Sequence, residues 1–564
     1  MSTRITIDPI TRIEGHLRVD VELEGNTVRS AWVSATMFRG LENILRGRDA
    51  REAWTIVQRI CGVCTTVHAI ASVRAVEDAL QLPIPPNAQL IRNLMLIHHA
   101  LRDHAVHFYQ LSALDWIDVQ QAARTNPLRA AQLAERHSAW INNSAEQMRN
   151  ARDRMARTQA SGQMGLFANG YWGHPAMNIA SEASLVVLAH YMQAFEFQRK
   201  ASQVVAMLGG KTPHIQNLTV GGVANAISLD GEGAFGMEQL EAMQSLIGEV
   251  GGFIREVYFP DACLIAGSYP AWFDQGHGVD RLLALPELPR DAAGREFDLP
   301  GGTLQSSSLN RAVVPHSRNA FLKSVSEDTM RSYYKGKEAL HPWKGETIPE
   351  LTEWNAEGKY SWVKAARYNG EVAEVGPLAS VLAGYSEGHA LTRKWTDLAL
   401  ARTSEVAGHL ITLDQLPSTM GRHLARAIRA AVLSELAIEH GQLLMDNIAR
   451  GDVATHNPPT FPAGEISGVG LHEAPRGALS HWVVIEKGNI RNYQAVVPST
   501  WNASPRDGNG TPGPYEAALT GLHVADAERP LEVLRTLHAF DPCMACACHA
   551  FDEQGLEISA VNVL

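Results

Sequence analysis

Two pairs of thiols sit near opposite ends of this chain. Cys61-Gly62-Val63-Cys64 is followed by His68, and Cys543-Met544-Ala545-Cys546 by His549. These four are most of the 6 cysteines in 564 residues. Thiolates are the soft ligands a protein supplies, and they select zinc, copper(I), iron–sulfur clusters or nickel-type centres over magnesium or calcium. Spacing alone leaves three other readings open: a structural zinc bound by four sulfurs, a thioredoxin-like dithiol, or inert buried cysteines. The dithiol expects its CxxC at a helix start after a strand in a small domain, whereas Cys61 is expected inside a helical pattern. The length of chain between the pairs does not forbid one joint site, because loop-closure entropy grows only logarithmically.

Leu17, Val19, Val21 and Leu23 alternate with charged residues, and Gly25-Asn26 punctuates the run, which predicts a β-hairpin with one wet face. From Asp49 the pattern is helical. Spacings of three and seven residues put Cys61, Cys64 and His68 on one helix face, ended by Pro83, Pro85 and Pro86. Long helices are expected over 87–113, 127–160, 181–208, 237–258, 386–413 and 417–449. Residues 276–368 read as short strands and loops, and strands return over 469–497. The predicted fold class is α+β: a long-helix bundle flanked by small sheets made from N-terminal, middle and C-terminal segments. We expect a single interdigitated unit spanning 1–564. It divides into an N-terminal sheet region 1–48, a helical core 49–260 and 384–451, a loop- and strand-rich insert 261–383, a C-terminal metal-binding region 452–549 and a tail 550–564.

Hydrophobic residues make up 45% and charged residues 19%, an ordinary globular composition. The net charge of −11, with no basic cluster, argues against nucleic acid or an anionic membrane as the main partner. So few cysteines make no disulfide framework. Residues 1–8 carry no apolar run, so no classical signal peptide is expected, and no apolar stretch of about 18 residues suggests a membrane span.

The flanks of the thiols are more specific than their spacing. Arg59 through His68 and Asp541 through His549 resemble the RxCGxCxxxH and DPCxxCxxH signatures of [NiFe]-hydrogenase large subunits. The likeness continues through Asp8–His16, Arg39–Glu42, Asp103-His104 with His107–Tyr109, Gly209–His214, Glu473–Gly477 and Val497–Asn502. In detail the chain is most similar to the hydrogenase-2-like respiratory branch of that family.

The resemblance implies the catalytic subunit of an enzyme that reversibly cleaves H2 into protons and electrons, heterolytically. It implies nickel bound by all four thiolates, with Cys61 and Cys543 terminal. Cys64 and Cys546 would be shared with a low-spin iron carrying carbon monoxide and two cyanides. It places Glu14 as the first proton relay after Cys543 (or Arg476), since a poorly hydrated carboxyl is tuned toward neutrality. Arg476, Asp103, Asp541 and Pro475 would form a canopy over the metals. Ser499 and the backbone near Pro498 would donate to the cyanides, and His68 would stand beside the thiolates. Glu42, the carbonyl of Ala495 and His549 match a second, magnesium-like site. A fold relative, the non-catalytic scaffold subunit of respiratory complex I, lacks the four cysteines present here.

Cys263 and Cys548 are too few to ligate a cluster with four cysteine ligands, so electrons leaving this chain need an iron–sulfur small subunit. The resemblance adds membrane electron-transfer subunits reached through that partner. It also adds a location on the periplasmic side of the cytoplasmic membrane, reached by co-export. The tail beyond His549, with Leu556, Ile558, Ala560 and Val563 in a weak strand pattern, resembles one that a maturation endopeptidase removes between His549 and Ala550. Gly209-Gly210-Lys211-Thr212 superficially suggests a phosphate loop, but Val205 stands where its first glycine belongs and a helix precedes it.

Overall fold

The N-terminal hairpin forms as its alternation predicts. Strands Leu17–Glu24 and Thr27–Ala35 pair antiparallel through a two-residue turn in which Gly25 takes φ 62. A third strand, Ser2–Ile7, adds to the outer edge. Leu17, Val19, Val21 and Leu23 are buried. The opposite face is less wet than expected, because Asp20 is also buried, taking hydrogen bonds from Arg4 (2.9 Å), Arg18 (2.8 Å) and Thr6 (2.7 Å).

The structure, a computed structural model, describes residues 2–168, 171–228, 236–309, 313–315, 318–336 and 338–547. Long helices dominate its centre. Thr419–Ala449 packs against Pro86–Val106, Met237–Phe253 and Phe259–Ser268, and Ser181–Gly209 lies beside Pro86–Val106. Three expected helices differ. The stretch 127–160 is two helices, Pro127–His137 and Ala145–Ala160, because Ser138, Asn142, Asn143 and Ser144 favour turns and caps; Ser144 caps the second through Gln147. The stretch 237–258 runs on through a π turn into Phe259–Ser268. Expected helix 386–413 is Ala390–Ala407, cut off from Pro377–Ser386 by Gly388 at φ 81.

Between the helices the middle of the chain makes a four-stranded sheet from Arg281–Ala284, Gly302–Gln305, Val314–Pro315 and Glu374–Val375. The C-terminal sheet is an antiparallel meander of Glu465–Ala474, Gly477–Glu486 and Asn489–Val496. Helix Thr65–Leu80 lies directly on its first strand. That approach requires glycine: a Cβ at Gly470 would fall 1.8 Å from the Ala71 carbonyl oxygen. One continuous apolar core runs from Ile10 to Ala547 and includes all four paired cysteines. Among the described residues, no helix is long and apolar enough to cross a membrane.

Candidate metal centre

The first CxxC is not inside a helix. Cys61 is extended (φ −144, ψ 141), and Cys64 is the residue that opens helix Thr65–Leu80. Gly62 weakens helical continuation here, and the turn turns its amides inward instead. The backbone N–H groups of Val63 and Cys64 both donate to Cys61 Sγ at 3.2 Å. Two guanidinium groups pin the turn from outside. Arg39 reaches the carbonyls of Ile60 (2.5 Å) and Arg59 (2.6 Å), and Arg102 that of Val63 (2.7 Å).

The second pair is held by distant parts of the chain. Ser499 Oγ accepts from the Cys543 amide at 3.1 Å, and Glu14 Oε2 accepts from the Ala545 amide at 3.1 Å. Its last described element is the one-turn helix Met544–Ala547. Met544 N–H also donates to the Glu14 carbonyl at 2.7 Å, and Gly15 takes φ 80 where a Cβ would lie 2.5 Å from Ala545 N.

The four sulfurs converge, each within 4.8 Å of every other. Cys64 and Cys543 each lie 2.9 Å from Cys546, and Cys61 lies 3.4 Å from Cys543. All are buried, and none is in a disulfide. Four reduced thiols facing one point in an apolar core fit a soft-metal centre. Burial pushes the Cys64 thiol up to about 11 and raises Cys543 and Cys546 as well. Burial opposes ionisation of Cys61 too, but there hydrogen bonds from the other three thiols and the charge of Arg476 outweigh it and lower its pKa well below the ordinary value.

Arg476 occupies the two-residue turn between strands Glu465–Ala474 and Gly477–Glu486, which projects it back over the sulfurs. It donates to Asp541 Oδ1 at 3.0 Å, the Asp541 carbonyl at 3.1 Å and Asp103 Oδ2 at 3.3 Å. Burial opposes its charge, but Asp541, Cys543 and Asp103 hold it firmly protonated. Asp103 stays ionised against burial through His99 and Arg102, whereas burial raises Asp541. A small enclosed pocket beside Cys64, Cys543 and Cys546 is walled by Val67, Ala474, Pro475, Leu479 and Pro498, with His68, Arg476 and Ser499 as its polar members.

Glu14 Oε2 lies 3.4 Å from Cys543 Sγ. Burial, then the charge of Cys61, pushes its carboxyl up to about 7. His68 Nε2 lies 3.3 Å from Cys546 Sγ, and burial lowers its pKa to about 4. Sequence reading missed what holds that ring: His481 at 3.0 Å, bonded in turn to Tyr493 (2.6 Å), which donates to Ser72 (2.9 Å). Only Ser72, one turn beyond His68, lies near a recognisable motif. The bracing roles of Arg39 and Arg102 were also missed, although Arg39 stands inside a recognised motif.

Glu42 and Ala495 also meet, through the amide of Ala495 donating to Glu42 Oε1 at 3.0 Å. Glu42 is further bonded by Thr347 and by Lys364 (3.2 Å), and Lys364 reaches Gln494 (2.6 Å) and Glu327 (3.6 Å). Burial pushes Glu327 up to about 7. Hard oxygen donors thus gather here around the Lys364 ammonium. Cys548, His549, Ala550 and the tail lie outside the described residues. Cys263 is buried away from the four sulfurs, its thiol pushed up to about 12 by burial.

The "Nickel-dependent hydrogenase" family matches residues 39–549, and a "HoxL-like" family matches residues 4–38. The chain is 49% identical to the hydrogenase-2 large chain of Escherichia coli over 100% of both chains. It is 41% identical to that organism's hydrogenase-1 large chain, covering 99% of this chain and 97% of the relative. Among solved structures, the Ni-Fe-Se hydrogenase of Desulfovibrio vulgaris Hildenborough superposes with a TM-score of 0.78 at 29% identity, covering 97% of this chain and 100% of that one.

Proposed function

The chain belongs to the nickel-dependent hydrogenases as a hydrogenase-2-like large, catalytic subunit, and from that premise we propose how its residues work. Cys61, Cys64, Cys543 and Cys546 would hold a nickel and an iron, the iron carrying carbon monoxide and two cyanides. That centre supplies a place where H2 is split and its electrons are taken up. Cys543 is the first proton acceptor, with the fixed positive charge of Arg476 beside it. Glu14 passes the proton outward: it touches Cys543, and a carboxyl with a pKa of about 7 both takes and gives a proton near neutral pH. Asp103 and Asp541 keep the Arg476 fork aimed at the pocket. Ser499, braced against the Cys543 amide, is placed to serve buried anionic diatomics, beside Pro498. His68 holds the Cys546 side. Glu42, the Ala495 carbonyl and His549 would bind magnesium, with Glu327 and Gln494 near enough to orient its waters.

The chain works as one interdigitated unit, since thiols from both ends share a core. Its electrons go to an iron–sulfur small subunit and on to membrane subunits, on the periplasmic side of the membrane. An endopeptidase cuts between His549 and Ala550, a reading supported by the family match ending at 549. The observation that carries the proposal is the convergence of four buried thiols beneath Arg476. Metal analysis of the purified enzyme tests it. Nickel and iron in near-equal amounts, together with hydrogen uptake, are expected; stoichiometric zinc without nickel overturns it.

A further inference from the structure

None of the steps above uses Arg12, Asp115 or His538, yet these three meet in a buried charged cluster. They come from segments far apart in sequence: the N-terminal loop, the end of the Pro86–Val106 helical run, and the short helix Leu531–His538. Asp115 is fully buried. One of its carboxylate oxygens pairs with Arg12, and the other lies 2.6 Å from His538 Nδ1. The second ring nitrogen of His538 lies 2.9 Å from the Thr11 carbonyl. Arg12 also donates to the Leu111 carbonyl at 2.6 Å. Arg12 takes φ 55, a left-handed conformation disfavoured for any residue with a side chain, so this loop shape is imposed by its contacts. Arg535, one turn before His538, donates twice to the Asp115 carbonyl (2.9 and 2.7 Å) and stacks 4.2 Å over Trp116.

The position of this cluster gives it a consequence. Two residues beyond Arg12 is Glu14, and five beyond His538 is Cys543. From there the two segments run side by side: Glu14 N–H donates to the Pro542 carbonyl (3.3 Å), Met544 N–H to the Glu14 carbonyl (2.7 Å), and Ala545 N–H to the Glu14 carboxylate (3.1 Å). We propose that Arg12, Asp115 and His538 are positioning residues, a clasp that fixes the loop carrying Glu14 against the segment carrying Cys543 and Cys546. The clasp thereby sets the contact through which the proton leaves. Burial penalises the Asp115 charge, and Arg12 with His538 outweighs that penalty, so the carboxyl stays ionised. The inference rests on Cys543 and Glu14 having the roles assigned above.

The test uses Asp115→Asn, which keeps the shape and removes the charge, in the purified holoenzyme in D2O. Para-hydrogen conversion reports splitting at the metals, and exchange of hydrogen with solvent deuterium reports proton exit. The clasp predicts that the ratio of solvent exchange to conversion falls at least about fivefold, since small misplacements of reacting groups are costly. Backbone amides of 543–545 should exchange at least about tenfold faster, while those of helix Thr419–Ala449 stay unchanged. Arg12→Met, at the partly exposed rim, should lower the same ratio by about half that factor. If Asp115→Asn does not fold, the Arg12 variant decides. A folded, nickel-loaded variant with wild-type ratio and wild-type protection overturns the clasp. A wild-type enzyme without nickel overturns the metal reading itself, which is a separate result.

Discussion

The two CxxC pairs have the same spacing and are built by opposite means. The first is largely local: its amides turn onto its own Cys61 sulfur, and it feeds straight into a 16-residue helix packed on a strand. The second runs from Cys543 into a short helix of 4 described residues and takes its shape from Glu14, Ser499 and Arg476, all contributed by remote segments. A local turn survives the loss of one distant contact, whereas a turn made of distant contacts does not. Four predictions follow from that difference, taken from the largest effect to the smallest.

Cys543→Ser should cut hydrogen turnover on the order of a hundredfold or more in folded, nickel-loaded protein, because it removes a soft ligand and the proposed proton acceptor together. Hydrogen-uptake assays on metal-quantified samples check it, and near-normal turnover would remove Cys543 from both roles. Glu14→Gln should leave para-hydrogen conversion in place while slowing solvent exchange by at least about a hundredfold, since an amide does not relay a proton. Equal, wild-type rates of both reactions would take Glu14 out of the path.

Two glycine substitutions separate the pairs directly. Gly15→Ala forces a side chain onto Ala545 N at 2.5 Å from a left-handed backbone. It should loosen the second pair by about 2–4 kcal/mol, read as faster amide exchange over 543–547. Gly62→Ala in the first pair meets nothing within 4 Å and should change local stability by no more than about 0.5 kcal/mol. Equal effects would erase the contrast between the pairs.

The last prediction concerns another tie between the two ends of the chain. Glu516 accepts from the Val33 amide (3.1 Å) and Tyr360 (2.9 Å), and burial pushes its carboxyl from 4.5 up to about 7. The folded state therefore holds a proton there that the unfolded chain releases at lower pH. Stability from this group is fully present below about pH 4.5 and is lost as pH rises toward 7. Glu516→Gln should abolish that loss and stabilise the protein by about 1–3 kcal/mol at pH 8, with little change at pH 4.5. Thermal unfolding at the two pH values is the measurement; an identical gain at both would assign the effect to packing.

The same contrast explains what the sequence made legible. The cysteine pairs, their flanks and the N-terminal hairpin stand in short contiguous runs, and the described site residues fall in two clusters, one around the four sulfurs and one joining Glu42 to the Ala495 amide. The expectation of a helix through Cys61 failed because periodicity counts only spacing. It does not register that Gly62 and the inward-turned amides favour a loop around a sulfur. The break of 127–160 was missed because Ser138, Asn142, Asn143 and Ser144 are weak signals one at a time. Arg12 stands inside the Asp8–His16 motif, but nothing marked Asp115 or His538, and no pattern along the chain relates three residues that meet only through tertiary packing. Arg39 was visible in a motif, but its function is to hold carbonyls, which a sequence does not display.

We propose that four thiols from both ends of the chain hold one nickel–iron centre whose iron carries diatomic ligands. The infrared spectrum of the purified enzyme tests it most directly, because carbon monoxide and cyanide bound to iron absorb where protein does not. The account predicts one carbon monoxide band and two cyanide bands, all lost in Cys546→Ser. A fully active wild-type enzyme without these bands, or bands unchanged in Cys546→Ser, would contradict it.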